Sequence, residues 1–350
     1  MADIKEYLKY YKDKTFKEYS FNEVDNVLFS ELSYLDWTNI VTNKITLQNA
    51  ANILLENKDE KKKKRERFKY VDNIKEHLKE MKDSLRYKDC ILTNFRLILT
   101  EKEQFGAICI YFEPGKLYVS FQGTDESVIG WKEDFEMSYS FPVPSQTEAI
   151  NYLNENVTWR DNIVFVGGHS KGGNLAICSV MYCKDYIRHK IKFIFNNDGP
   201  GFREKEFSSK EYNEISDRII SFKPEDSIVG VLLNNLPATK VVKSKEKGIR
   251  AHDITSWECF GTFLEEGILS DNSKKIESKF KNWLSKYKDE EKKKLVLTFF
   301  EILEKIGVKS IYDFKKIDLS KVRVAVGEMK NIDADTKRLY LEALRNLLIN

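Results

Sequence analysis

The chain of 350 residues is long enough for one large domain, or for one domain with an appendage. Its apolar fraction of 41% supports a real core, and its net charge of +3 argues against a nucleic-acid binder. Five cysteines without a CxxC pair predict neither a disulfide framework nor a zinc site. The sequence shows no signal peptide and no apolar run of about 18 residues, so we expect a cytoplasmic protein.

Basic charge is concentrated in one segment, Lys58–Lys69, which carries eight positive and three negative side chains. Blocks of like charge usually lie in water, as a solvated helix face or a loop. The alternative is a peripheral contact with an anionic membrane, to which each basic residue contributes about 1 kcal/mol.

Residues 1–94 are predicted to be mainly helical, because apolar residues such as those of Phe21–Tyr34 recur at helical spacing. The period changes near Phe95, and three consecutive strands are predicted with a hairpin turn at Glu113–Lys116. These strands cover 95–101, 105–113 and 116–123.

Helices and strands then alternate. Helices are predicted over 145–158 and 171–182, and strands over 162–166, 192–196, 218–222 and 239–243. Short apolar strands separated by helices indicate a mostly parallel sheet covered on both faces. Only amphipathic helices are predicted beyond Leu269. We therefore divide the chain into a helical segment (1–94), an α/β core (95–268) and a C-terminal helical subdomain (269–350).

The sequence Gly168-His169-Ser170-Lys171-Gly172 fits the G-x-S-x-G pattern of a nucleophile elbow. An apolar strand precedes the pattern and a helix follows it, as the sharp turn of an elbow requires. The helix N-terminus also directs partial positive charge at the serine. We therefore predict that Ser170 is a nucleophile rather than an ordinary turn residue.

A serine nucleophile needs a base, and the chain has only four histidines. Two lie in or near charged helices, at positions 77 and 189. His169 adjoins the serine and is expected to pack beneath the turn. His252 lies in a loop after the last predicted strand, where this architecture places its base, so we predict that His252 fills the role.

The third group must be a carboxylate that orients the imidazole. In this fold the acid lies between the serine and the histidine in the chain, usually after the second strand beyond the elbow. Counting strands therefore favours Asp226. Asp198, after the next strand, is the fallback, and Glu225 is a minor competitor.

The developing oxyanion needs two donors. One is expected to be the backbone N–H of Lys171, which follows the nucleophile. The other should come from an earlier loop at a strand end, where Gly123 and Thr124 follow the predicted strand. From the residues alone, an ordinary turn in this loop is the alternative.

Five motifs in order resemble the Mbeg-like family of bacterial α/β-hydrolase proteins, which is similar to the class-three (fungal-type) lipases. They are "FQGTDESVIGWKEDFEMSYSFPVP", "GHSKGGNLA", "NNDGPGF", "PEDSIVGVLL" and "HDITSWE". The resemblance covers about residues 20–260. It implies the α/β-hydrolase fold, with the second oxyanion contact at Thr124 and the acid and base at Asp226 and His252.

The resemblance also implies a short lid helix over Ser127–Met137, with Trp131 as its tryptophan; packing of Trp131 on the sheet is the alternative. Lys171 stands where the lipases usually carry leucine. Its ammonium suits either an anionic group on the substrate or an ion pair with an acid such as Asp198. Together with the charged lid sequence, this departure argues against long-chain triacylglycerol as substrate.

The function expected from these residues is cleavage of a carboxylic ester through an acyl-enzyme on Ser170, with neither a metal nor an organic cofactor. A thioester or an amide would pass through the same type of tetrahedral intermediate. The alternative from a different class is a catalytically silent, hydrolase-like binding or regulatory protein.

Overall fold

The computed structural model describes residues 2–57, 69–100, 103–125, 128–235, 237–309, 313 and 318–349. Of the basic segment Lys58–Lys69, all but the last residue lie outside the described residues, so its contact with a membrane stays a prediction. Among the helices that are described, none combines the length and the apolar character needed to cross a bilayer.

The described strands form two sheets. They are β1 (Ala2–Asp3), β2 (Ile45–Thr46), β3 (Ile91–Leu99), β4 (Gln104–Glu113), β5 (Lys116–Phe121), β6 (Ile163–His169), β7 (Ile191–Asn197), β8 (Ile219–Pro224), β9 (Lys240–Val242), β10 (Glu258–Phe260) and β11 (Phe263–Leu264).

The described helices lie between these strands in the chain, and four more follow the last strand. They are α1 (Ile4–Tyr11), α2 (Glu23–Leu32), α3 (Leu47–Glu56), α4 (Lys69–Asp83), α5 (Val128–Glu136), α6 (Pro144–Asn156), α7 (Lys171–Tyr182), α8 (Asp185–Arg188), α9 (Glu204–Phe207), α10 (Lys210–Asn213), α11 (Asp271–Lys286), α12 (Asp289–Lys305), α13 (Leu319–Asn331) and α14 (Ala334–Ile349).

The large sheet has the strand order β2-β3-β4-β5-β6-β7-β8-β9. Strands β2 to β5 pair antiparallel, and β5 to β9 pair parallel. The expected α/β class with a mostly parallel sheet is confirmed. Strand β3 begins at Ile91, four residues before the predicted start. A bulge between Thr93 and Arg96, with Asn94 at φ 56°, interrupts the alternation that would have revealed it.

Apolar residues cover both faces of the large sheet. On one face, α1 to α4 pack over a cluster that includes Val24, Val27 and Leu28, each fully buried. On the other face, α6 and α7 pack over Val119, Val166 and their neighbours. Helix α7 is buried at every position from Lys171 to Met181, as its apolar sequence predicts.

The small sheet, β1-β10-β11, joins the start of the chain to the segment after His252. C-terminal to it, α12 lies against α5, where the ring of Phe135 packs 5.8 Å from that of Phe300. The five cysteines are buried and unpaired.

Candidate active site

Ser170 lies at the tip of a strained turn between β6 and α7. Its backbone has φ 57° and ψ −133°, a conformation that residues with a side chain rarely adopt. The turn is packed tightly against the end of the neighbouring strand, β5. A β-carbon on Gly168 would lie 2.5 Å from the Phe121 carbonyl oxygen, and one on Gly172 only 2.1 Å from it. Both glycines of the pattern are therefore required sterically, and the turn has the form of a nucleophile elbow.

The side chain of Ser170 is left available by this turn. The residue occupies the N-cap position of α7, yet its hydroxyl makes no capping hydrogen bond. Its backbone N–H instead donates to the Asn197 carbonyl at the end of β7, at 2.9 Å. Ser170 is only partly buried, whereas His169 and Lys171 on either side are buried. The serine thus faces outward from a rigid, buried support.

His252 lies in the single-turn 3-10 helix Gly248–His252 and is fixed by a carboxylate. Its Nδ1 lies 2.6 Å from Oδ2 of Asp198. Since a carboxylate oxygen only accepts, Nδ1 carries the proton and Nε2 of the neutral ring keeps its lone pair. The imidazole side chain is 20% exposed, whereas the carboxylate behind it is fully buried. This is the arrangement of a base oriented by an acid.

Asp198 directly follows β7, in the left-handed conformation at φ 52°. Its Oδ1 accepts hydrogen bonds from the Ser227 hydroxyl at 2.5 Å and from the Gly230 backbone N–H at 3.1 Å. With His252 on Oδ2, both oxygens of this buried carboxylate are satisfied. The carboxylate is therefore held in one orientation, with one oxygen reserved for the imidazole.

The prediction that Asp226 orients His252 is wrong. Asp226 turns the other way and accepts from the Gly248 N–H at 3.0 Å. That bond, with a weaker contribution from Ser270, holds the pKa of the Asp226 carboxyl below its usual value. The next residue, Ser227, is the one that faces the site, and it bonds to Asp198. The Glu225 carboxylate also has another partner, because its Oε2 lies 3.6 Å from Nζ of Lys247. The fallback, Asp198, is the partner that the structure brings to His252.

His169 packs beneath the elbow, as expected, and ties it to the loop of His252. Its Nε2 lies 2.7 Å from the His252 carbonyl oxygen, so Nε2 carries the proton there. Its Nδ1 then accepts from the Tyr34 hydroxyl at 2.8 Å. The rings of His169 and His252 lie 4.5 Å apart between centroids. Burial, with a smaller contribution from the neighbouring His252, keeps the pKa of His169 well below its usual value, so the His169 ring stays neutral.

The loop after β5 lies directly against the elbow. A β-carbon on Gly123 would lie 3.0 Å from Cβ of Ser170 and 2.6 Å from the His169 carbonyl oxygen. The backbone N–H groups of Thr124 and Lys171 have no acceptor among the residues that the structure describes. Two backbone donors near the serine therefore lack an acceptor among the described residues. The Thr124 hydroxyl is occupied, because it donates to Oδ2 of Asp134 at 2.5 Å.

The Lys171 ammonium meets neither of the two partners expected for it. The side chain is completely buried and donates to the Gln104 carbonyl oxygen at 2.8 Å. It also pairs with Oε2 of Glu133 in α5 at 3.0 Å. The other Glu133 oxygen accepts from the Ser145 N–H at 2.8 Å. Lys171 is therefore a bridge within the core, and its ammonium reaches neither Asp198 nor an external ligand.

Helix α5 occupies most of the predicted lid segment, whose first residue, Ser127, lies outside the described part of the chain. Trp131 is 36% exposed. Glu133 and Asp134 of the same helix face inward, to Lys171 and Thr124. Phe135 packs on Phe299 and Phe300 of α12. Helix α5 is thus held by polar contacts to Lys171 and Thr124 and by aromatic contacts to α12.

The sequence profile of the Mbeg1-like family matches residues 81–301, so the chain belongs to this family. Among solved structures, the chain is similar to one titled "Crystal structure of M37 lipase". The two are 17% identical, with a TM-score of 0.35, over 61% of this chain and 71% of that one. No curated protein matches the chain.

Proposed function

We propose that this member of the Mbeg1-like family is a serine hydrolase that cleaves a carboxylic ester through an acyl-enzyme on Ser170. The observation that carries the proposal is the buried Asp198 carboxylate, 2.6 Å from Nδ1 of a partly exposed His252. The loop of His252 is bonded through His169 to the strained elbow of Ser170. A structural histidine would not need an imidazole that is partly exposed, and a structural turn serine would not need a positive φ.

In the proposed reaction, Nε2 of His252 accepts the Ser170 hydroxyl proton as Oγ attacks the ester carbonyl. Asp198 stabilises the imidazolium that forms. The oxyanion of the tetrahedral intermediate accepts hydrogen bonds from the N–H groups of Thr124 and Lys171. The imidazolium then protonates the leaving alcohol, and the acyl group remains on Oγ. Water, deprotonated by the same imidazole, releases the acid and restores the serine.

Two features of the elbow and of α5 support an uncharged acyl ester as the substrate. Lys171 is buried in an ion pair, so the elbow offers no cation to an anionic substrate group. The side chains of Ile129 and Trp131 on α5 are 37% and 36% exposed and provide apolar surface. We infer that an acyl chain contacts α5 through Trp131. Trp131 would thus have the substrate contact expected of the tryptophan in a lid helix.

An ester panel of varied acyl length, with Ser170→Ala as the blank, tests the proposal. Hydrolysis by the wild type and none by the variant is the expected result, and the preferred chain length identifies the acyl group. Thioester and anilide analogues of the best acyl group then compare the three carbonyl classes. A folded wild type that hydrolyses none of them would favour a binding role for the site.

A further inference from the structure

Gln104 is a buried side chain, 1% exposed, at the first position of β4. Its amide Nε2 donates to the Gly123 carbonyl oxygen at 3.2 Å. Its Oε1 has no partner among the described residues. Leaving one amide oxygen buried and unpaired carries a cost in stability. The one hydrogen bond that the side chain does make therefore indicates its role.

The Gly123 carbonyl and the Thr124 N–H belong to the same peptide group. In a planar trans peptide these two bonds point in opposite directions. A donor fixed on the carbonyl oxygen therefore fixes the direction of the N–H on the other side. It also polarises the peptide, which makes the N–H a stronger donor. Gln104 thus acts on the N–H that our proposed reaction uses for the oxyanion.

The backbone of Gln104 is connected to the second oxyanion donor. Its carbonyl oxygen accepts from the Lys171 ammonium at 2.8 Å. Lys171 is the residue whose own N–H is the other proposed donor. A single buried residue therefore contacts both residues that carry the donors, one through its side chain and one through its main chain. Glu133 holds the Lys171 ammonium from the opposite side at 3.0 Å.

We propose that Gln104 is a positioning residue for the oxyanion site: it orients the Thr124 N–H through the Gly123 carbonyl and anchors the Lys171 side chain. This inference rests on the proposed serine hydrolase function. It assigns Gln104 no contact with the substrate, so its loss should slow the reaction without weakening substrate binding.

The test compares Gln104→Met with Gln146→Met in the full chain. Gln146 is equally buried, 1% exposed, and its Nε2 donates to Asn174 at 2.8 Å, away from the oxyanion loop. Both substitutions conserve volume and remove one buried amide. We would measure kcat and KM on the best ester, and the rate at which a fluorophosphonate labels Ser170, since its P=O oxygen occupies the same site.

We expect Gln104→Met to lower kcat and the labelling rate about 10-fold with KM unchanged, less than the 100- to 1000-fold loss for a direct donor. Gln146→Met should stay within about 2-fold of wild type. Equal rates for Gln104→Met and wild type, or equal losses in both variants, would overturn the inference.

If Gln104→Met fails to fold, Gln104→Asn, whose shorter amide cannot reach Gly123, decides in its place. A wild type that is not labelled overturns the proposed function and this inference together, whereas a labelled wild type with an unaffected Gln104 variant overturns the inference alone.

Discussion

The His252 imidazole and the Asp198 carboxylate meet at 2.6 Å, although 54 positions separate them in the chain. Asp198 is supported from behind by Ser227 and Gly230, which hold its second oxygen. Because Asp198 is held in one orientation, the folded chain itself fixes the proton on Nδ1 and the lone pair on Nε2 of His252.

The choice between the two aspartates can be tested directly. Asp198→Asn should lower kcat by roughly 10⁴-fold, because an amide no longer enforces the tautomer in which Nε2 is the base. Asp226→Asn should change kcat by less than about 3-fold, since its carboxylate is bonded to the Gly248 N–H and to Ser270 rather than to His252. Ester hydrolysis by the purified variants measures both. A large loss in Asp226→Asn with little change in Asp198→Asn would reverse the assignment.

The buried Lys171–Glu133 pair predicts a large effect on stability. Lys171→Met should lower the free energy of unfolding by about 3–5 kcal/mol, because it leaves the Glu133 carboxylate buried without its counter-charge. The double variant Lys171→Met/Glu133→Gln should recover much of that loss. Urea unfolding followed by circular dichroism measures both.

The matched control is Lys240→Met. Lys240 pairs with Glu23 at 2.6 Å, but both side chains are about one-fifth exposed. We expect this control to cost about 1 kcal/mol or less. A Lys171 variant no less stable than the Lys240 variant would contradict the importance of the buried pair.

Asp134 predicts a pH dependence of stability. Burial raises the pKa of its carboxyl from 3.8 to about 6, against the opposing effects of Lys171 and Thr124. Between these values the folded protein binds a proton that the unfolded chain releases, so this group favours folding as pH falls from 6 to 4 and opposes it above 6. Asp134→Asn removes the penalty of ionisation and keeps an acceptor for Thr124.

The Asp134→Asn variant should therefore be more stable than wild type at pH 8, by on the order of 2–3 kcal/mol. The difference should shrink steadily toward pH 4. Thermal unfolding from pH 4 to 8 provides the measurement. A difference in Tm that does not depend on pH would show that Asp134 is not the group responsible.

Trp131 predicts a dependence on acyl length. Trp131→Ala removes the partly exposed ring on α5 that we expect an acyl chain to contact. KM should rise several-fold for long acyl esters and stay nearly constant for acetate esters. Trp159→Ala, at a tryptophan that is 77% exposed, is the control and should alter neither value. An equal change for short and long esters would argue that Trp131 only packs against the protein.

The order of strands β3 to β9 could be predicted from sequence because each short apolar strand is bounded by helix or turn residues. Strands β10 and β11, of three and two residues, were not predicted. The candidate nucleophile Ser170 and the candidate base His252 were chosen from that order. The carboxylate that contacts His252 could not be chosen in this way, because strand counting locates a loop but not the direction of its side chains. Asp198 and Ser227 face the site, whereas Asp226, one residue away from Ser227, turns to Gly248.

The polar contacts across the chain were also beyond the reach of sequence patterns. Tyr34 bonds to His169 over 135 positions, and Gln104 to Gly123 from the neighbouring strand. Neither residue type is distinctive at its position. Lys171 gave a partial signal, since a lysine beside Ser170 in an apolar helix needs a buried partner. Its partner Glu133, however, lies in a segment that looked like an exposed lid.

The proposed reaction requires that Ser170 is a nucleophile activated by His252. Its most direct test is the intact mass of the full chain after exposure to a fluorophosphonate, followed by peptide mapping of the adduct. We expect one adduct, on Ser170, that is absent in Ser170→Ala and strongly slowed in His252→Ala. A folded wild type that gains no adduct would contradict this role of Ser170. Labelling of Ser170→Ala as fast as the wild type would contradict it too.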